Sequence, residues 1–223
     1  MCLLRLGMLA ILWGALPTMS WGQLPQIRLR SIFPPSAQAG QTVELRLSSG
    51  DDLEEVSALY FTHPGITATP KLQEVEGRQT PVDNVFRVSI AGDVPPGIYE
   101  VRAAGLWGAS NPQRFAVGPR PQVVESDDNN RPDKAQPVEL NTSIVGQMNG
   151  GQDVDCFRFR AEAGQRVIID CLAERLDSRM AAEIVLLDSA GRRLAASHDV
   201  LGADPLLVFD VPAAGEYVVQ LHD

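Results

Sequence analysis

Along most of this chain apolar and polar residues alternate with a period of two, in short runs broken by Gly, Pro, Asp and Asn. Val43, Leu45 and Leu47 alternate with Glu44 and Arg46; Tyr99, Val101 and Ala103 oppose Glu100 and Arg102. Further along, Phe157 and Phe159 alternate with Cys156, Arg158 and Arg160, and Leu207, Phe209 and Val211 with Val208 and Asp210. Side chains on a strand point alternately to opposite faces, so each run reads as a half-buried strand. Turn signals at Gly50-Asp51-Asp52, Pro95-Pro96-Gly97, Ala163-Gly164 and Ala214-Gly215 separate the runs. The pattern predicts an all-β protein of two consecutive antiparallel β-sandwiches. Only Leu172–Glu183 carries apolar residues at helical spacing (Leu172, Leu176, Met180), and there a short helix or an ordered loop is expected.

The first 22 residues read as an address. Arg5 precedes an apolar stretch from Leu6 to Leu16, with Ser20 and Gly22 at the −3 and −1 positions of a signal-peptide cleavage site. The stretch is short for a bilayer span. Cys2 lies ahead of it, where a lipoprotein cysteine does not sit. No other segment is apolar enough to cross a membrane, so the expected product is exported, to the periplasm, cell surface or extracellular space, with no span after cleavage.

Residues 23–118 form the first predicted sandwich and 138–223 the second. Between them 119–137 is an acidic linker rich in Pro, Asn and Asp. Across the whole chain 28 acidic residues outnumber 19 basic ones, giving a net charge of −9. Only two of the basic residues, Lys71 and Lys134, are lysines, which argues against nucleic acid as a partner.

Two resemblances follow from ordered motifs. Pro34, Ala39-Gly40-Gln41, the stretch Gly50–Phe61 and the close Pro95–Gly118 resemble an IPT/TIG-type immunoglobulin-like domain. That resemblance implies a spacer or binding module. Glu125–Asn130, Ala135 with Pro137, Gly146, Asp153–Phe159, Ala163-Gly164-Gln165, Leu186-Leu187-Asp188 and Pro212–Tyr217 resemble the bacterial pre-peptidase C-terminal domain, as in large exported planctomycete-type proteins. It implies a jelly-roll-like sandwich found beside secreted peptidases. Cys156 stands where that family usually carries an aromatic. The chain also stops at Leu221-His222-Asp223, out of what reads as an edge strand, where the family continues. A fragment or an open sheet is therefore expected.

The main chemical signal is a concentration of oxygen donors. Glu125, Asp127, Asp128, Asn129 and Asn130 open the second module, and Asp153 and Asp155 begin its central strand. Ca²⁺ takes six to eight oxygens in irregular geometry, which this donor set suits. Asp153 and Asp155 share a face if the strand is regular. An EF-hand is excluded, because Pro132 stands where that loop needs Gly. In collagen-binding modules related to the family, the matching acids are implied calcium ligands. The candidates are Glu125, Asp127, Asn129, Asn130, Asp153 and Asp155, holding a structural Ca²⁺. The alternative is a set of solvated turn formers.

Cys156 and Cys171 flank the turn of a predicted hairpin. An even loop brings the sulfurs together. An odd loop buries more apolar surface and turns Cys156 outward, leaving two free thiols, and this register is preferred. Ser197-His198-Asp199 has the residue types of a triad, but adjacent residues point apart and do not converge. Arg175, Asp177 and Arg179 suggest an ion-pair network fixing the loop. No nucleophile elbow, phosphate loop or zinc-protease motif occurs. The sequence thus reads as a non-catalytic exported protein of two β-modules. It would bind or position an envelope or extracellular glycan or protein. The alternative is the N-terminal accessory part of a larger exported enzyme such as a secreted peptidase.

Overall fold

The computed structural model describes residues 24–151 and 153–223; the expected signal peptide lies outside them. Apart from two 3-10 turns, the regular structure of the described chain is all strand. The first sandwich comprises β1 (Arg28–Phe33), β2 (Ser36–Gln38), β3 (Thr42–Asp51), β4 (Val56–Phe61), β5 (Ile66–Val75), β6 (Arg78–Ile90), β7 (Gly97–Gly105), β8 (Gly108–Ala109) and β9 (Gln113–Gly118). One sheet runs β1-β3-β6-β5 and the other β2-β9-β7-β4, with β8 added to β7. All pairs are antiparallel except β2 with β9. Leu45, Leu47, Phe86, Val88 and Ile90 from the first sheet meet Leu59, Val101, Ala103, Phe115 and Val117 from the second. These are the apolar sets the alternation predicts, and burying each such side chain contributes about 1.5–3 kcal/mol.

The second sandwich comprises β10 (Gln122–Val124), β11 (Gln136–Pro137), β12 (Ser143–Val145), β13 (Val154–Ala161), β14 (Arg166–Asp170), β15 (Glu183–Asp188), β16 (Arg193–Ser197), β17 (Leu206–Asp210) and β18 (Gly215–His222). Its main sheet runs β11-β13-β18-β15-β16, and β14 pairs with β17 on the opposite side of the core. Phe159, Ala161, Ile184, Leu186, Tyr217 and Val219 pack there against Val167, Leu207 and Val211. The segment read as a linker carries β10, which pairs in parallel with β12.

The same device starts a strand in each sandwich. Asp93-Val94-Pro95 and Asp210-Val211-Pro212 lead through a glycine to Tyr99 and Tyr217. Each tyrosine donates its hydroxyl hydrogen to a carbonyl four residues back, Tyr99 to Pro95 at 2.7 Å and Tyr217 to Ala213 at 2.6 Å. The buried Val94 and Val211 anchor the turns.

Two expectations are corrected. The predicted β13–β14 hairpin does not form, because β13 pairs with β18 and β11 while β14 pairs with β17. The Ala163-Gly164 turn instead carries the chain from one sheet to the other, so Phe159 and Val167 meet across the core. Leu221 and His222 do not lie on an edge. They are flanked by β13 and β15, with His222 opposite both Val154 and Glu183. Of the two forms expected for Leu172–Glu183 the structure takes the ordered loop, with one 3-10 turn at Glu174–Leu176, and Glu183 opens β15.

Candidate metal centre

The candidate ligands come from the β10–β11 connection and from the entry to β13. Pairing of β10 with β12 runs into Glu125, whose N–H donates to the Val145 carbonyl at 2.9 Å. Gln136 then clamps the turn: its amide nitrogen donates to the Val124 carbonyl and its amide oxygen accepts from Ser126 N–H. The turn delivers Asn129 to β13, where its carbonyl accepts from Cys156 N–H at 2.9 Å.

Glu125 and Asp155 are brought close enough for each carboxyl to bear on the other. Asp155 is buried, which with the neighbouring Glu125 and Asp153 pushes its carboxyl up to about 7. Burial likewise raises Glu125, against the opposing hydrogen bond that Gln147 N–H donates to it. Charge crowding of this kind favours a proton or a cation between the two carboxylates. Asp127 and Asp153 lie near enough to add to the negative field at Glu125.

Asp153 precedes the strand rather than sharing a strand face with Asp155. Its carboxylate accepts from the N–H groups of Asn149 and Val154 and so caps the loop. Asp128 and Asn130 are exposed, and among the described residues neither makes a side-chain hydrogen bond. Also among the described residues, no three His, Cys, Asp or Glu side chains form a group that could hold a metal ion.

Asn129 is the outlier. Its side chain is 0% exposed, yet neither the amide oxygen nor the amide nitrogen has a hydrogen-bond partner. An unsatisfied buried amide costs about 1–3 kcal/mol, and groups of this kind call for a bound water or ion. In the sequence Gly146 stands out only as part of a motif. An added Cβ there would overlap the Glu125 carboxylate, so the glycine is what seats that side chain. Spacing alone gives no sign of this contact.

The network expected around Arg175 exists with different members. Arg175 pairs with Asp204 at 2.8 Å and with Asp170 at 2.5 Å. Asp177 instead reaches the first sandwich, accepting from Arg114 N–H at 2.8 Å. Arg179 makes no ion pair among the described residues. Both Cys156 and Cys171 are free, but not because of hairpin register: Cys156 lies on β13 of the main sheet, and Cys171 directly follows β14 of the other sheet. Cys156 packs on the outer face of the main sheet with Val185, Leu187 and Val218, and Cys171 against the central core. Burial raises both thiols, Cys171 to about 12 with Asp204 and Asp170 adding to the effect. Such thiols are poor nucleophiles at neutral pH.

Residues 153–223 match the model of the bacterial pre-peptidase C-terminal domain. A probable subtilase-type serine protease of Deinococcus radiodurans is 29% identical over 91 residues, covering 40% of this chain and 12% of that protein. The chain therefore spans only a small part of that relative. Among solved structures, a glucan-utilisation protein of Bacteroides ovatus, in complex with a mixed-linkage heptasaccharide, aligns with 81% of this chain and 35% of its own. It does so at 14% identity and a TM-score of 0.30. The D00-D0 domain of intimin aligns with 90% of this chain and 86% of its own at 8% identity and a TM-score of 0.26. No helix among the described residues is long and apolar enough to cross a membrane.

Proposed function

We propose that this chain is a non-catalytic accessory unit of the exported class, whose two β-modules bind or position a glycan or protein outside the cytoplasm. A structural Ca²⁺ would stiffen the entry to the second module. The observation that carries the cation is Asn129, a fully buried carboxamide without a partner, whose backbone carbonyl is bonded to the residue after Asp155. The donors are all oxygens, the set a hard divalent cation takes. Glu125, Asp155 and the Asn129 amide oxygen would form the inner part of the site, with Asp153 and Asp127 nearest to complete it. Asn130 lies on the same turn and would contribute only through rearrangement. Bound Ca²⁺ would supply charge neutralisation, tying the β10–β11 turn to the start of β13.

Thermal unfolding with added CaCl₂ and with chelator tests this reading. At a concentration of ~100 times the Kd, one cation bound to the folded state stabilises by about 2.7 kcal/mol. Identical melting curves in Ca²⁺ and chelator would reject the site.

A second reading is supported by the 153–223 match and by the subtilase-type relative, of which the aligned segment is a small fraction. In it, the two modules serve a larger exported enzyme such as a secreted peptidase. Sequencing the transcript beyond the codon for Asp223 distinguishes the two. A continuous reading frame into a catalytic domain favours the second, and a stop codon there removes it.

A further inference from the structure

Away from the acidic centre, the outer face of the β1-β3-β6-β5 sheet collects the opposite charge. Leu45 and Leu47 point into the core, so Thr42, Glu44 and Arg46 of β3 face outward, beside Arg87 and Ser89 of β6 and Thr67 and Thr69 of β5. Cross-strand register sets these side chains in rows. Thr42, Ser89 and Thr67 form one row, with the Thr42 and Ser89 hydroxyls 3.0 Å apart, and Glu44, Arg87 and Thr69 form the next.

Glu44 sits directly opposite Arg87 yet gives its carboxylate to Lys71 Nζ at 2.7 Å. Among the described residues, Arg87 and the neighbouring Arg46 have no carboxylate within ion-pair distance. The register break between Pro70 and Leu72 carries the β5–β6 ribbon past the edge of β3. With the sheet it frames a cleft of about 650 Å³ lined by Glu44, Thr69, Lys71, Gln79 and Arg87. A second cleft, of about 510 Å³, shares Glu44 and continues to Gln122 at the start of the second module. Each is within the several-hundred-Å³ range of ligand sites.

Three cations against one acid on one face is unexpected for a chain of net charge −9. We infer that this trough binds a carboxylated polysaccharide, a chain of uronate units, with Arg87 and Arg46 receiving the carboxylates. The planar guanidinium matches a carboxylate by two parallel hydrogen bonds. The Thr and Ser rows and Gln79 offer donors and acceptors to ring hydroxyls. Neighbouring strands are ~4.8 Å apart, so donors recur across the sheet at about the repeat of an extended sugar chain. A peptide added as a strand would need a free sheet edge, whereas this surface is a sheet face. Single-stranded nucleic acid would need a series of aromatics on which successive bases stack, and the two linings together supply one, Phe33. The inference rests on the glycan-binding reading above and narrows it to one ligand class.

The test is calorimetric titration of the full mature chain with polygalacturonate, with dextran sulfate and a neutral mixed-linkage glucan as comparison probes. Polygalacturonate should bind, weaken as salt is raised, and lose at least roughly tenfold in affinity in the double variant Arg46→Glu/Arg87→Glu. Arg158→Glu, on the second sandwich, reverses one charge elsewhere and should leave binding unchanged. Circular dichroism and melting curves of each variant check that it folds. Polygalacturonate binding that survives the double reversal overturns the inference, as does preference for dextran sulfate. Neutral glucan bound as well as polygalacturonate overturns it while leaving the broader glycan-binding reading standing. Binding to none of the three overturns it without touching the Ca²⁺ result.

Discussion

Arg175 places its Nε 2.8 Å from the Asp204 carboxylate, which is completely buried and also accepts the backbone N–H groups of Ala173, Glu174 and Arg175. One carboxylate thus holds the 3-10 turn, and its loop carries Asp177 to the Arg114 N–H of the first sandwich. Asp204→Ala would leave Arg175 and three backbone donors without their acceptor. We expect a loss of about 3 kcal/mol, within the range for breaking a buried pair. It should appear as a lower denaturant midpoint at unchanged slope.

Asp204 also sets a pH dependence. Burial alone would raise its pKa, but Arg175 and the three backbone donors hold it below the ordinary 3.8. A depressed carboxylate contributes stability that is fully present above the unfolded-state value and is lost as pH falls through the folded one. The gap in unfolding free energy between wild type and Asp204→Asn should therefore be constant near neutrality and narrow below about pH 4. A gap that stays constant to lower pH would show that the charge is not what Asp204 contributes.

Asn129 separates a ligand from a packing residue by sign. If its amide oxygen serves a cation, Asn129→Ala in chelator removes an unsatisfied buried group and costs little, less than about 1 kcal/mol. The same variant in CaCl₂ should lose the Ca²⁺-dependent stabilisation. Equal destabilisation in both buffers would assign Asn129 to packing alone. Paired thermal melts read both values.

Gly146→Ala addresses Glu125 without replacing a candidate ligand. The new methyl would meet the Glu125 carboxylate and must displace it. The half-saturating Ca²⁺ concentration in a melting titration should rise by roughly tenfold, a shift of about 1.4 kcal/mol. An unchanged titration would remove Glu125 from the site.

The thiols give a check on packing. Cys156 is fully buried, and burial holds both thiols above their ordinary range. Under native conditions a thiol reagent should modify Cys156 only as fast as the fold opens. Both thiols should react at once in denaturant, without prior reduction. Immediate native labelling of Cys156 would contradict its placement under the β10–β11 turn.

Much of the fold is legible in the chain because a strand's alternation is a local property. Which residues of β3, β7, β13 and β17 face the core can be read from their order, since successive side chains must point to opposite faces. The turn before Tyr99 and its echo before Tyr217 are equally local, built from a proline, a glycine and a hydroxyl reaching four residues back. Donor chemistry is local too. Glu125, Asp127, Asn129, Asp153 and Asp155 stand out as an oxygen set before any geometry is known.

Alternation, however, leaves open which strand takes the hydrogen-bonding edge of which. Short sequence separation favours a hairpin between β13 and β14, but the structure sends the chain across the core at Ala163-Gly164 and puts β18 in the middle of the main sheet. That choice separates Cys156 from Cys171 and turns an expected edge into a centre. It also brings Asn129 against Cys156, Glu125 onto Gly146 and Arg175 over Asp204, contacts that depend on backbones far apart in the chain. The sequence by itself determined the class of fold, the buried faces and the donors available. The tertiary structure alone decided which donors lie together and which amide is left without a partner. Burial faces are set residue by residue, whereas pairing and convergence are set by the whole chain at once.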